Sequence, residues 1–275
     1  MQYQATTSTW RFSENQWEYV GEDNNNISSE YDGWIDLFGW GTSGYHDVYD
    51  NFNVNYQPYS TSYATVNTEC NTYGYGPSTN MYDPNLTGMS AEYDWGVYNA
   101  ISNGGGQVGV WRTLSNEEWE YIFKYRSGSV VGYISNARFA KATVNGIRGV
   151  ILFPDVFSVP IYLPTPLEIN DGGASFEVNI YSGDGWRALE NLGCVFLPNA
   201  GYREGDCFYG GIGRYWSNAY YWSSSYYDNS GAARCVYFHN AYGNYGNGVY
   251  VYGQVILSYS SRCSGLSVRL VRDKE

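Results

Sequence analysis

The sequence predicts an α+β chain with few helices and many short, mostly antiparallel strands. Three observations carry that prediction. Short, near-continuous apolar runs such as residues 149–153 (GVILF) and 194–197 (CVFL) have the length and texture of buried strands. Gly and Asn break the chain at short intervals, and the 275 residues include 33 Gly. Helical signals are scarce and local, which favours segregated helices over alternating βαβ units.

Taken in order, the first helix is expected over residues 93–101, ended by Ser102-Asn103-Gly104-Gly105-Gly106. The second starts at a capping box. The Ser115 hydroxyl can accept from the Glu118 amide, and the Glu118 carboxylate can reach back to the Ser115 N–H. Trp119, Ile122 and Phe123 then share one helical face. Strands follow at 149–153 and 194–197, and between them lies a shorter helix. Asp184 is its expected cap, Trp186, Leu189 and Leu192 its apolar side, and Gly193 its stop. A last strand is expected over residues 267–271, and the chain reads as a single domain, 1–275.

Bulk composition narrows the function. Aromatic residues make up 19%, with 31 Tyr and 10 Trp, too many for a low-complexity disordered chain. The formal net charge of -12 argues against nucleic acid and anionic lipid as partners. No apolar run approaches transmembrane length, and no signal peptide is visible. The five Cys (Cys70, Cys194, Cys207, Cys235, Cys263) contain no CxxC pair, so a zinc site is not expected. Cys194 and Cys207 could pair or stay as free thiols.

Residues 215–262 differ from the rest of the chain. They hold eleven Tyr, eight Ser, five Asn and five Gly, and neither Lys nor Glu. Tyr offers large amphipathic contact area at low entropy cost, while Ser, Asn and Gly supply adaptable hydrogen bonding, as in antibody paratopes. A catalytic segment needs titratable groups, and this one has few. The run from Arg234 to His239 alternates with period 2. Val236 and Phe238 are therefore expected toward the core, with Cys235, Tyr237 and His239 on the opposite, outward face.

Five segments in order carry a family resemblance. They are residues 33–44 (GWIDLFGWGTSG), 111–121 (WRTLSNEEWEY), 196–203 (FLPNAGYR), 221–225 (YWSSS) and 265–271 (GLSVRLV). Together they resemble the formylglycine-generating-enzyme-like branch of the C-type lectin fold. The pattern is similar to paralogous surface proteins of gut Bacteroidetes and Fibrobacter, and to the variable proteins of diversity-generating retroelements in gut bacteria and their phages. The resemblance runs from about Trp10 to the end and implies that the family segment starts upstream of Tyr3.

The resemblance implies a C-type-lectin-like scaffold with a variable ligand-binding region over about 215–264. Trp222, Ser223, Ser224, Ala233, Val236, Phe238, Arg262, Gly265 and Ser267 match the fixed frame. Variable, ligand-facing positions would be Tyr226, Tyr227, Asp228, Asn229, Ser230, Arg234, Cys235, Tyr237, His239, Asn240, Tyr242, Asn244, Tyr245, Cys263 and Ser264. Adenine-directed diversification turns AAC codons into NNC, which cannot encode Lys, Glu, Gln, Met or Trp. None of these five occurs over residues 223–253. A Tyr/Ser/Asn-rich loop of ordinary origin would also avoid them. The stretch from Phe238 to Arg262 is longer than the family pattern.

The implied protein displays its site on a cell surface or virion, outside the cell. It binds a protein or glycan ligand and uses neither metal nor cofactor. The alternative is a glycan-binding adhesin of fixed specificity. Enzymatic readings have weaker support. Formylglycine-generating enzymes use a closely spaced Cys pair, whereas Cys235 and Cys263 are far apart in an acidic chain. His46 and His239 are isolated from any triad pattern. The 103–106 run lacks a P-loop Lys. The pair Glu117-Glu118 suits a helix N-terminus, and Glu22-Asp23 is the other adjacent acidic pair. Asp83-Pro84-Asn85 resembles a lectin calcium tripeptide but lies far upstream of the usual position. Trp34, Trp40, Trp111, Trp119 and Trp186 are expected in the core.

Overall fold

A computed structural model describes residues 1–26, 28–45, 57–59, 84–159, 161–210, 216–228, 231–245 and 248–273. At 216, 217, 228, 240–245, 248–254 and 256 the description covers the backbone alone. In chain order the elements are β1 (Gln2–Gln4), β2 (Thr9–Arg11), α1 (Trp95–Tyr98), β3 (Arg112–Thr113), α2 (Asn116–Glu120), β4 (Val130–Val131), β5 (Ile134–Ser135), β6 (Phe139–Val144) and β7 (Ile147–Leu152). There follow β8 (Ile180–Tyr181), α3 (Gly183–Glu190), β9 (Val195–Pro198), β10 (Tyr202–Glu204), β11 (Cys207–Tyr209), β12 (Trp216–Asp228), β13 (Ala232–Tyr245), β14 (Gly248–Ser261) and β15 (Leu270–Val271). The chain is thus mixed α and β, with short helices and mostly antiparallel strands.

Two sheets organise these elements. A four-stranded sheet has the order β8-β6-β7-β9, antiparallel except for the β6–β8 pair. A three-stranded antiparallel sheet, β12-β13-β14, is built from much longer strands of 13 or 14 residues. Helix α3 lies against the outer face of the first sheet: Trp186 and Leu189 pack with Ala140, Ala142, Ile151 and Phe196. The inner face, with Phe139, Val150 and Leu197, meets Tyr221, Val236 and Phe238 of the long sheet and Trp119 of α2. A third cluster covers one end of the long sheet's other face, where Trp222 and Cys235 pack with Trp10, Phe38, Trp40, Trp95 and Leu266.

Local chemistry explains the helices. The Ser115–Glu118 capping box is complete, with Ser115 N donating to the Glu118 carboxylate at 2.8 Å and Glu118 N to the Ser115 hydroxyl at 3.2 Å. A π-helical turn, Tyr121–Tyr125, extends α2. Trp119 and Phe123 are buried as expected, and Ile122 is half-buried. The cap of α3 is Ser182, whose hydroxyl accepts from Gly185 N at 3.1 Å; Asp184 stands in the first turn instead. Gly193 follows at φ +88°, the left-handed geometry of a helix stop. Leu192 lies beyond the last helical turn and is exposed, so it leaves the apolar side that Trp186 and Leu189 form. The expected helix over 93–101 is only the single turn of α1, preceded by a 3-10 segment, Gly88–Tyr93. Asp94 caps it and also accepts from Thr113 N, which draws the chain away toward β3.

The five family-like segments converge on the third cluster. Phe38 pairs with Leu266 and Tyr221 with Ser267. Trp40 Nε1 donates to the Ser223 carbonyl at 2.8 Å, and Trp222 Nε1 to the Phe38 carbonyl at 2.7 Å. Trp119 Nε1 donates to the Trp222 carbonyl at 3.3 Å. Trp40, Trp119 and Trp186 are fully buried, whereas Trp111 is half-buried and Trp34 lies under the Arg11 guanidinium at 3.7 Å. The 103–106 run forms turns, with Asn103 bonded through its side-chain amide to both N–H and C=O of Phe12. Cys194 and Cys207 are free thiols, and Cys263 is disulfide-bonded.

Candidate ligand-binding face of the long sheet

The pleat of β12 and β13 sorts side chains into two sets. On one side Ala219, Tyr221, Val236 and Phe238 are buried. On the other, Tyr220 pairs with Tyr237 and Asn218 with His239 across the ladder. Tyr220, Tyr237 and His239 are half-buried, and they continue outward from the fully buried pair of Trp222 and Cys235. One strand face therefore begins as core and ends as surface.

That surface carries a row of rings. Tyr220 stacks on Tyr237 at 4.4 Å between centroids, and Tyr237 on His239 at 4.8 Å. The β10–β11 hairpin adds Tyr202 and Tyr209, which stack at 5.1 Å, with Tyr202 edge-on to Tyr220 at 5.4 Å. Each such pair contributes about 0.5–1.5 kcal/mol beyond burial, so the rings hold one another in place. Burial raises the Tyr220 and Tyr237 hydroxyl pKa values, so both stay neutral donors. Burial, and secondarily the Lys141 charge, lowers the His239 pKa below its usual value.

Lys141 anchors the end of this row from behind. It is buried on β6, and its ammonium donates to the His239 carbonyl at 2.8 Å. Burial pulls its pKa down to about 8.

A second patch forms where β12 bulges. Between Trp222 and Tyr226 the register slips, because three residues there face only Arg234 on β13. The extra serines are used. Ser223 Oγ donates to the Arg234 carbonyl at 3.0 Å, Ser224 N to the Leu114 carbonyl at 2.8 Å, and Ser225 Oγ accepts from Asn116 N at 2.9 Å. The bulge so ties β12 to the start of α2 and redirects Tyr226 and Tyr227. Tyr227 stacks on Tyr259 at 4.1 Å, with the Arg234 guanidinium over its ring at 4.3 Å. Tyr226 lies 5.0 Å from the Arg262 guanidinium, which also sits over Trp40.

The expected site residues divide accordingly. Tyr226, Tyr227, Arg234, Tyr237 and His239 reach the surface. Cys235 does point away from Val236, yet it is 1% exposed, because the face it shares with Trp222 is sealed by the Trp10–Trp40 cluster. Burial pushes its thiol up to about 12. Cys263 and Ser264 are also buried, in the turn between β14 and the segment paired to Phe38, so neither can meet a ligand directly. Asp228, Asn240, Tyr242, Asn244 and Tyr245 have strand backbones, and their side chains lie outside the description. Asn229 and Ser230 lie outside the described residues, as do His46 and Asp83.

Sequence reasoning missed Tyr202, Tyr209, Tyr220, Tyr259 and Lys141. Tyr220 could have been found by stepping two residues back from Trp222 along the pleat. Lys141 could have been found as a lone cation in the strand FAKATV. Tyr202 and Tyr209 pair across the short β10–β11 hairpin and Tyr259 stacks on Tyr227 of another strand, and neither contact gave a signal beyond composition.

Among the described residues no group of three His, Cys, Asp or Glu side chains is placed to share a metal ion, and no helix is long and apolar enough to cross a membrane. No protein-family model matches the chain, and no curated protein and no solved structure matches it.

Proposed function

We propose that the protein is a ligand-binding display protein, built on a C-type-lectin-like scaffold and carried on a bacterial cell surface or virion. Its ligand is a protein or cell-surface group met by the tyrosine-rich face of β12 and β13. The observation that carries this reading is the division of labour across one pleat. Val236 and Phe238 hold the core while Tyr237 and His239, one residue away each, stand at the surface. Outward residues of such a strand can change without disturbing packing. A preformed aromatic row also lowers the ordering cost of binding.

The stacked geometry bears on the ligand. Tyr220, Tyr237 and His239 cover one another's faces, so a partner meets mainly ring edges and hydroxyl groups. Edge and hydroxyl contacts suit a polypeptide surface. A sugar platform of fixed specificity would favour open ring faces.

Two experiments test the reading. The double substitution Tyr227→Ala with Tyr237→Ala should remove binding to any hit from a panel of surface proteins and glycans, while thermal stability changes by a few degrees. Collapse of the fold instead would place those rings in the core. Sequencing the gene locus should find a neighbouring reverse transcriptase and a near-copy of the 3′ end that differs at adenines. A single strong sugar class on the array, without such a locus, would favour the fixed-specificity adhesin.

A further inference from the structure

Two adjoining cavities, lined by none of the tyrosines of the ring row, flank the C-terminal strand. The larger, about 310 Å³, lies between α2 with its π-helical extension, the end of β7, and β15. Its walls include Trp111, Leu114, Ile122, Val195, Leu270 and Val271. The smaller, about 170 Å³, lies on the other side of the same strand, against Phe12, Gln16 and Val268. Trp111, Arg269 and Leu270 belong to both.

Arg269 is the unusual group. It is only partly exposed, and desolvation pulls its guanidinium below the ordinary arginine value. Among the described residues no ion pair and no side-chain hydrogen bond forms on that guanidinium. The other buried arginines differ: Arg203 donates to the carbonyls of Gly205 and Leu37, and Arg262 lies over Trp40. Glu190 offsets part of that desolvation through space, yet no carboxylate sits in direct contact with Arg269 among the described residues, so the guanidinium is a place where a directly bonded anion would be welcome.

Two more guanidinium groups line the larger cleft. Arg126 donates to the Arg138 carbonyl at 3.0 Å and sits 3.6 Å from the exposed Asp155. Arg272 is exposed and lies 5.7 Å from the Trp111 ring. The chain carries 27 acidic residues against 15 Lys and Arg, so three arginines around one apolar recess run against its overall charge. The volume falls at the low end of small-molecule sites, about 300–1,000 Å³. That is small for a polypeptide segment.

We propose that this cleft binds a small carboxylic acid with an apolar body, its carboxylate on Arg269 and its body against Trp111, Ile122 and Leu270. The guanidinium fork matches a carboxylate in two parallel hydrogen bonds. Burial of the apolar body then supplies the rest of the affinity. Arg272, at the rim, adds attraction and steering rather than a second fixed contact.

Titration calorimetry on the full chain tests this with octanoate as the probe. Octanoate should bind at one site. Octan-1-ol, with the same body and no charge, should bind at least about ten-fold more weakly, and inorganic phosphate should show no measurable heat. Arg269→Gln should weaken octanoate by about ten-fold or more, and Arg272→Gln by about two- to three-fold. Should Arg269→Gln fail to fold, Ile122→Glu decides the matter, because it puts a carboxylate into the wall of the cleft and should abolish octanoate binding. Equal binding of octanoate and octanol, undiminished affinity in folded Ile122→Glu, or no binding at millimolar octanoate overturns the proposal. A free-carboxylate peptide such as acetyl-Ala-Ala-Leu binding about ten-fold tighter than octanoate overturns the choice of occupant.

Discussion

The two sheets solve the same burial problem in opposite ways. The sheet β8-β6-β7-β9 lies between α3 on one face and the long sheet on the other. Every residue of β6 is buried, including Lys141 and Thr143, which alternate with Ala140, Ala142 and Val144 in its run FAKATV. Among the described residues the long sheet is covered on one face along Tyr221, Val236 and Phe238, but on the other only near Trp222 and Cys235. Beyond that pair the second face emerges as Tyr220, Tyr237 and His239. A strand buried on both faces has no position free to change. A strand buried on one face has every second position free, which is the property a recognition surface needs.

The largest expected effect tests that asymmetry directly. Phe238→Ala should cost about 3–5 kcal/mol, because a fully buried ring leaves a cavity between the sheets. Tyr237→Ala, one residue away, should cost only about 1–2 kcal/mol, the loss of stacking plus partial burial. Denaturant midpoints at constant slope compare the two. Equal losses would mean that both faces are core and would remove the distinction between them.

A smaller effect is expected at the junction that holds the sheets to the helices. Asp94→Ala strips the cap of α1 and leaves the Thr113 amide of β3 without its 2.8 Å acceptor, both in buried surroundings. The expected cost is about 2–3 kcal/mol. Ser225→Ala removes the hydroxyl that accepts from Asn116 N and should cost about 1 kcal/mol. It should also loosen the bulge that aims Tyr226 and Tyr227, visible as faster amide exchange at residues 224–227. An unchanged exchange pattern would show that the bulge is held by packing alone.

These contrasts explain what could be read from the chain and what could not. The capping box at Ser115, the strands at 149–153 and 194–197, and the inward placement of Val236 and Phe238 follow from local spacing, and the structure has them. Cys235 illustrates the limit. Period 2 assigns it correctly to the face opposite Val236, but it cannot tell that Trp10, Phe38 and Trp40, 195 to 225 residues upstream, close over that part of the face. The same limit hid the ring row. Tyr202, Tyr220 and Tyr237 meet through strand pairing and a hairpin fold-back, neither of which leaves a mark in spacing. Asp184 and Ser182 were two adequate caps two residues apart, and local propensity did not choose between them.

The smallest effect concerns pH and the exposed end of the row. Burial, with Lys141 behind it, holds the His239 imidazole pKa below its ordinary value of 6.5. The neutral ring is thus the form that suits the folded state. Above pH 6.5 His239 is neutral in both the folded and unfolded chain and imposes no penalty. As pH falls below 6.5, the unfolded chain takes up this proton first, so the folded state loses stability until the folded-state value is passed. The buried Asp94 carboxyl, raised by desolvation to about 6, titrates over the same range, so the comparison must be made against His239→Gln. The stability advantage of the wild type over that variant should shrink from pH 7.5 to pH 5. Growth of the advantage over that range would mean that the imidazolium is favoured by an anionic neighbour. In that case the face would be prepared for a cationic ligand group rather than for the neutral hydroxyl and edge contacts that the tyrosines offer.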